Sequence, residues 1–175
     1  SREDPKAGED RPRHLQQEVM KPRSTFQQAL ALLGFIVLTF LAPAAGAFSP
    51  PGAWYQTLNK PSWNPPNEIF GPVWTLLYLG MAVAAWLVWK RGGQGHALRL
   101  YVVQLALNAA WTPVFFGAHE MGAAFLVIVS MWIAIFLTLR AFWAVSRPAG
   151  LLFVPYLAWV SFASVLNFTL WRLNS

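Results

Sequence analysis

From residue 26 onward the chain carries five apolar runs, each near the ~20 residues that cross a bilayer as an α-helix. They are read at about Phe26–Ala47, Ile69–Trp89, Ala97–Phe116, Met121–Trp143 and Leu151–Trp171. Pro72 is placed in the first turn of the second run, where a proline is tolerated. Pro113 falls near the end of the third and Pro155 close to the start of the fifth. The composition agrees: of 175 residues 56% are hydrophobic and 11% charged, against about 25% charged in soluble domains. Five of the seven acids (Glu3, Asp4, Glu9, Asp10, Glu18) precede residue 19, leaving only Glu68 and Glu120. The expected fold is an all-α integral membrane protein, a five-transmembrane-helix bundle over residues 25–175. Residues 1–24 are polar and contain prolines, and are expected as a disordered N-terminal extension. Met20-Lys21-Pro22-Arg23 would serve as a native start, which leaves residues 1–19 open as an upstream extension.

The chain has no cysteine, so disulfides, thiolate metal sites and cysteine nucleophiles are excluded. The net charge of +6 suggests no nucleic acid, because the basic residues flank apolar runs and form no basic stripe. Their role is topological. Lys21, Arg23, Lys90, Arg91, Arg99, Arg140 and Arg147 fall on the N-terminal side, and Lys60 and Arg172 on the other. In a bacterial inner membrane the excess of Lys and Arg in cytoplasmic loops would put the N-terminus inside and the C-terminus outside.

Connections are short except for the stretch from Phe48 to Glu68, and long ordered loops are commonly functional. It continues into the second run through Trp54-Tyr55, Lys60-Pro61-Ser62-Trp63-Asn64-Pro65-Pro66 and Phe70-Gly71-Pro72-Val73-Trp74. Four prolines within twelve residues (Pro61, Pro65, Pro66, Pro72) fix φ and remove backbone donors. A stiff, largely extended segment is expected, and stiffness lowers the entropy lost when a loop closes over a ligand. It reads as a lid.

Three runs carry matching stripes at 3- and 4-residue spacing. They are Phe70, Trp74, Tyr78 and Met81; Gln104, Asn108, Trp111 and Phe115; and Tyr156, Trp159, Ala163, Leu166 and Asn167. Such spacing shares one helix face. In lipid it is the polar groups that choose which face turns inward, so Gln104, Asn108 and Asn167 mark the interior. Most of the ten tryptophans, among them Trp54, Trp63, Trp86, Trp89, Trp143 and Trp171, are explained as interfacial belts, and Trp132 as ordinary packing. Trp74 and Trp159 share faces with polar residues and are read as ligand-lining. Asn108 and Asn167 also fit plain interhelical glue. Ala106 and Ala110 form a small-xxx-small pair that suggests a homodimer contact. No intramembrane carboxylate pair exists for proton coupling, and neither His96 nor His119 has a metal partner at helical spacing. Conventional acid–base or nucleophilic catalysis has almost nothing to use.

These motifs resemble the TspO/translocator-protein family, the tryptophan-rich sensory proteins or peripheral-type benzodiazepine receptors, in its bacterial form. The matching segments are Lys60–Pro66 with Trp54-Tyr55, Val73–Tyr78, Gln104–Trp111, Pro113–Gly117, Pro155–Trp159 and Ala163–Asn167. The resemblance implies a five-helix bundle, usually a homodimer, that binds porphyrins such as protoporphyrin IX and haem as ligands, with no cofactor required. It places a pocket beneath the first loop and, by matching positions, assigns Tyr55, Pro65, Trp74, Tyr78, Asn108, Trp111, Trp159 and Ala163 to ligand binding. Animal relatives carry a C-terminal sterol motif with a tyrosine where Phe168 stands here, which makes sterol binding doubtful. A macrocycle is expected to stack on Trp74 and Trp159, with Asn108 on its polar edge and Lys60 at the mouth for its propionates. A membrane tetrapyrrole sensor or regulator is the leading reading. A light- and oxygen-dependent porphyrin-degrading enzyme stands second, and a porphyrin or sterol transporter third.

Overall fold

The computed structural model describes residues 22–92 and 95–175; all but the last three residues of the N-terminal extension lie outside them. Helix α1 (Thr25–Gly46) opens on a capping box in which Ser24 Oγ accepts from Gln27 N and the Gln27 side chain accepts from Ser24 N. It is followed by α2 (Ala53–Thr57), α3 (Asn67–Lys90), α4 (Gly95–Thr112) running on into a π-helical turn at Pro113–Gly117, α5 (Met121–Val145) and α6 (Arg147–Leu173). Five of these helices, 22 to 27 residues long, have the length and hydropathy to cross a membrane.

Three boundaries depart from the expectation. The first loop is not simply extended, because α2 forms in it ahead of the proline cluster. Helix α3 starts directly after Pro65-Pro66, so Pro72 sits in its second turn and not its first. There it withholds a hydrogen bond from the Glu68 carbonyl. Gly71 eases that position, since the residue before proline is disfavoured in helix largely through its Cβ. Helix α6 begins at Arg147, four residues early, with Ser146 as N-cap and a proline in its first turn. Pro155 therefore lies in the third turn.

Around the bundle the principal neighbours run α1–α3–α6–α5–α4 and back to α1. At the end holding the N-terminus, Tyr101, Phe142 and Phe153 pack together, with centroids 5.1 to 6.3 Å apart. The Tyr101 hydroxyl meets Thr39 of α1. Helix α1 is fastened to α3 at this end: the Arg23 guanidinium lies 3.8 Å over the Trp89 ring, and Trp86 Nε1 donates to Gln28 O at 2.9 Å. Further along, Phe40 meets Tyr78 at 5.6 Å. Only 11% of the apolar span of α1 is buried, against 28–39% for the other four. It is the most peripheral helix.

Trp132 does more than pack. Its Nε1 donates to Ser161 Oγ at 2.8 Å, joining α5 to α6. Trp132→Phe is expected to lower stability by about 0.5–1.5 kcal/mol, the usual worth of an interhelical hydrogen bond in a membrane. Reversible unfolding in mixed micelles reads this out, and a wild-type value would mean that the bond contributes nothing.

Candidate ligand-binding site

The three stripes converge. Phe70, Trp74, Tyr78 and Met81 on α3, Gln104, Asn108, Trp111 and Phe115 on α4 and its π-helical turn, and Tyr156, Trp159, Ala163, Leu166 and Asn167 on α6 all turn inward, buried or half-buried. Toward the loop end they enclose a cavity of about 460 Å³, within the ~300–1,000 Å³ usual for small-molecule sites. Of the residues singled out from the sequence, Tyr55, Trp74, Tyr78, Asn108, Trp111, Trp159 and Ala163 line it.

Lys60 and Pro65 do not. Lys60 Nζ donates to Tyr55 O at 2.7 Å and Leu58 O at 3.4 Å, and lies 4.5 Å over the Tyr55 ring. A cation that satisfies its donors on loop carbonyls stiffens the loop and is not presented at the mouth. Pro65 stays within the loop, half-buried, outside the cavity wall. Sequence reasoning missed Pro43 and Gly46 of α1 and Ile128 and Met131 of α5, which also line the cavity. The buried polar residues of those helices, Thr39 and Thr138, were the signals that could have chosen the face.

Two polar residues of the wall, Tyr78 and Asn108, begin a relay that continues to Tyr156 and Gln104 outside it. Tyr78 OH donates to Asn108 Oδ1 at 2.6 Å, Asn108 Nδ2 donates to Tyr156 OH at 2.9 Å, and Tyr156 OH donates to Gln104 Oε1 at 2.8 Å. Tyr78, Asn108, Tyr156 and Gln104 are all buried, so the relay ties α3, α4 and α6 where lipid offers no substitute partner. A second bridge runs from Trp111 Nε1 to Asn167 Oδ1 at 2.9 Å, with Asn167 Nδ2 donating to Met121 O at 3.0 Å. Both amides are interhelical ties, and Asn108 and Asn167 are wall residues as well.

The ring geometry corrects one expectation. Trp74 and Trp159 sit 6.5 Å apart at an interplanar angle of 87°. A flat ring parallel to one of them would meet the other by its edge. Trp74 is itself stacked on Tyr78 at 5.4 Å and 27°. The Trp159 Nε1 is buried with no hydrogen-bond partner among the described residues.

The first loop covers the cavity and is fastened along one side. Trp54 stacks on His119 at 4.0 Å and 7°, and meets Phe115 edge-on at 5.9 Å. His119 holds φ at 59°, a conformation uncommon outside glycine. Tyr55 packs on Phe116 and Trp63 on Phe162. Asn174, just past α6, clasps the loop: its Oδ1 accepts from Asn59 N at 2.8 Å and its Nδ2 donates to Asn59 O at 3.0 Å. Two such bonds at roughly 1 kcal/mol each predict that Asn174→Ala raises local opening of residues 53–66 by about thirtyfold, measured by amide hydrogen exchange. Unchanged protection would show that the aromatic contacts alone hold the loop.

A helical bundle whose aromatic and amide faces enclose a covered cavity defines a class: a polytopic membrane protein with an internal cavity of small-molecule size. The sequence model of the TspO/MBR family matches residues 30–172, and the chain belongs to that family. It is 48% identical over 144 residues to a tryptophan-rich sensory protein of Cereibacter sphaeroides, covering 79% of this chain and 91% of the relative. It is 47% identical over 155 residues to the tryptophan-rich protein TspO of Chlorobaculum tepidum, covering 85% and 98%. It is 46% identical over 126 residues to the human translocator protein, covering 69% and 75%. Family membership and five apolar helices together make this an integral multi-pass membrane protein.

Proposed function

We propose that this protein is a membrane sensor or regulator that binds a flat tetrapyrrole, protoporphyrin IX or haem, in the cavity beneath the first loop. The observation that carries the reading is a cavity walled by Trp74, Tyr78, Trp111 and Trp159 with amides set among them, under a stiff aromatic cover. Flat conjugated rings gain from stacking and edge contacts of this kind. The wall's rings recognise the conjugated plane and not a metal, so metal-free porphyrin suits it as well as haem. The relatives named as sensory and translocator proteins favour a signalling or handling role. Ala106 and Ala110 are exposed on the outer face of α4 and would form the contact of a homodimer. In a bacterial inner membrane the basic residues at the N-terminal end would favour the cytoplasmic side for that end.

Porphyrin breakdown in light is the second reading. It is favoured by the oxidisable rings of Trp74, Tyr78 and Trp159 standing side by side in the wall. A protoporphyrin titration in the dark and under illumination separates the two. Stoichiometric dark binding without product supports the sensor, whereas light-dependent loss of porphyrin absorbance that Trp74→Phe or Trp159→Phe abolishes supports the enzyme. Because the rings are perpendicular, the two variants are expected to differ in dark affinity by about three- to tenfold, one losing a stacking face and the other an edge. Equal affinities in both variants would remove the stacking geometry.

A further inference from the structure

The cover over the cavity is fastened on one side only. Its aromatic residues grip the α4–α5 connection and α6, and Asn59 is held by Asn174 at the end of α6. The opposite edge has no such hold among the described residues. The exposed residues of the cavity wall, Pro51, Gly52, Gln56, Asn67 and Gly71, all lie there, between the end of α1, α2 and the start of α3. The α1–α3 seam is closed from the other end by Arg23 on Trp89, Trp86 on Gln28 and Phe40 on Tyr78. Beyond Phe40 it parts. Pro43 and Gly46 face the cavity from α1, and a Cβ built on Gly71 meets nothing within 4 Å.

We infer that the ligand enters sideways from the bilayer through this gap between α1 and α3, without the loop opening. The depth fits. Gly71 is four residues into α3 and so about 6 Å below its start at 1.5 Å per residue, within the span and not above it. The surroundings fit as well: Leu41, Phe48 and Leu76, on the segments that flank the gap, are 59%, 90% and 70% exposed, a surface suited to hydrocarbon. Gln56 and Asn67 supply polar groups at the loop end of the gap. A gap apolar at its sides and polar at its top admits a flat amphiphile already dissolved in that leaflet, ring first, with its charged end kept at the interface. This inference rests on the tetrapyrrole-binding reading and adds the route and the amphiphilic class of ligand.

The test is stopped-flow protoporphyrin IX binding to the protein in phosphatidylcholine nanodiscs. Gly71→Phe puts a ring into open space in the gap. Because Gly71 precedes a proline, Gln56→Trp provides a second obstruction that leaves α3 untouched. Gly34→Phe, also with nothing within 4 Å of its Cβ but away from the cavity wall, is the matched control. Either gap variant is expected to slow association by about tenfold, while Gly34→Phe and the loop-releasing Asn174→Ala stay near the parent rate. Parent-like association in both gap variants, or faster association in Asn174→Ala, would overturn lateral entry. A parent protein that binds no protoporphyrin at equilibrium would instead remove the binding reading itself, so the two failures are told apart.

Discussion

Asn108→Leu is expected to lower the stability of the bundle by about 2–3 kcal/mol, and Tyr78→Phe added to it is expected to recover about 1 kcal/mol of that loss. Asn108 accepts from Tyr78 at 2.6 Å and donates to Tyr156 at 2.9 Å, and all three are buried. Leucine removes both partners at once. Tyr156 keeps an acceptor in Gln104 at 2.8 Å, but the Tyr78 hydroxyl keeps none. An unmatched buried donor costs roughly 1–3 kcal/mol, more than the net worth of the bond it made. Membrane hydrogen bonds average only about 0.6 kcal/mol in mutant cycles because the unfolded chain also finds partners. The orphaned hydroxyl therefore costs more than the lost bonds, and removing it with phenylalanine restores stability although no contact is regained. Unfolding of the two variants in mixed micelles reads both numbers. A double variant no more stable than Asn108→Leu would mean that Tyr78 finds another acceptor, and the relay would then be positional only.

What the sequence made legible follows from where it carried polar markers. Helices α3, α4 and α6 mixed aromatic residues with Gln104, Asn108 or Asn167, or faced helices that did. Spacing alone then placed Trp74, Tyr78, Trp111 and Trp159 in one cavity wall. Helices α1 and α5 carry only a hydroxyl each on the inward side, Thr39 and Thr138, a weaker signal than an amide, and Pro43 and Gly46 on the face of Thr39 and Ile128 and Met131 on the face of Thr138 went unread. Two boundary signals were present and not used: Ser146 followed by a proline marks the start of α6, and the Pro65-Pro66 pair marks the residue before α3. The angle between Trp74 and Trp159 could not be read in principle. Helical spacing fixes the direction of Cβ, while side-chain torsions set the plane of a ring. The same holds for Lys60, whose charge was visible but whose commitment to the carbonyls of Tyr55 and Leu58 depends on how the loop turns.

Gly150→Leu is expected to yield no natively folded protein, and Gly150→Ala to lose about 2 kcal/mol. The corner from α5 to α6 turns on one residue, Ser146, which closes α5 through Ser146 N to Phe142 O at 2.7 Å and caps α6. Four residues on, Gly150 lies against α5: a Cβ there would stand 2.7 Å from Trp143 Cε3, 2.8 Å from its Cβ and 2.9 Å from its Cα. The ring atom can move by side-chain rotation, but the Cα cannot, so the two helices must part. Parting them strains Phe142 on Phe153 at 5.1 Å and the more distant Trp132–Ser161 bond, both of which depend on the α5–α6 spacing. Alanine in place of a helical glycine ordinarily gains up to about 1 kcal/mol of helix propensity. Against that, overpacking costs about 1–3 kcal/mol and sometimes more, and backbone among the clashing atoms puts this site at the upper end. Gly34→Ala supplies the comparison, since nothing lies within 4 Å of its Cβ, and it should be neutral or stabilising. Trp143→Ala placed beside Gly150→Ala should recover only part of the loss, because it removes the ring and leaves the Cα. Full recovery in that pair would assign the clash to the indole alone and leave the backbones free to approach.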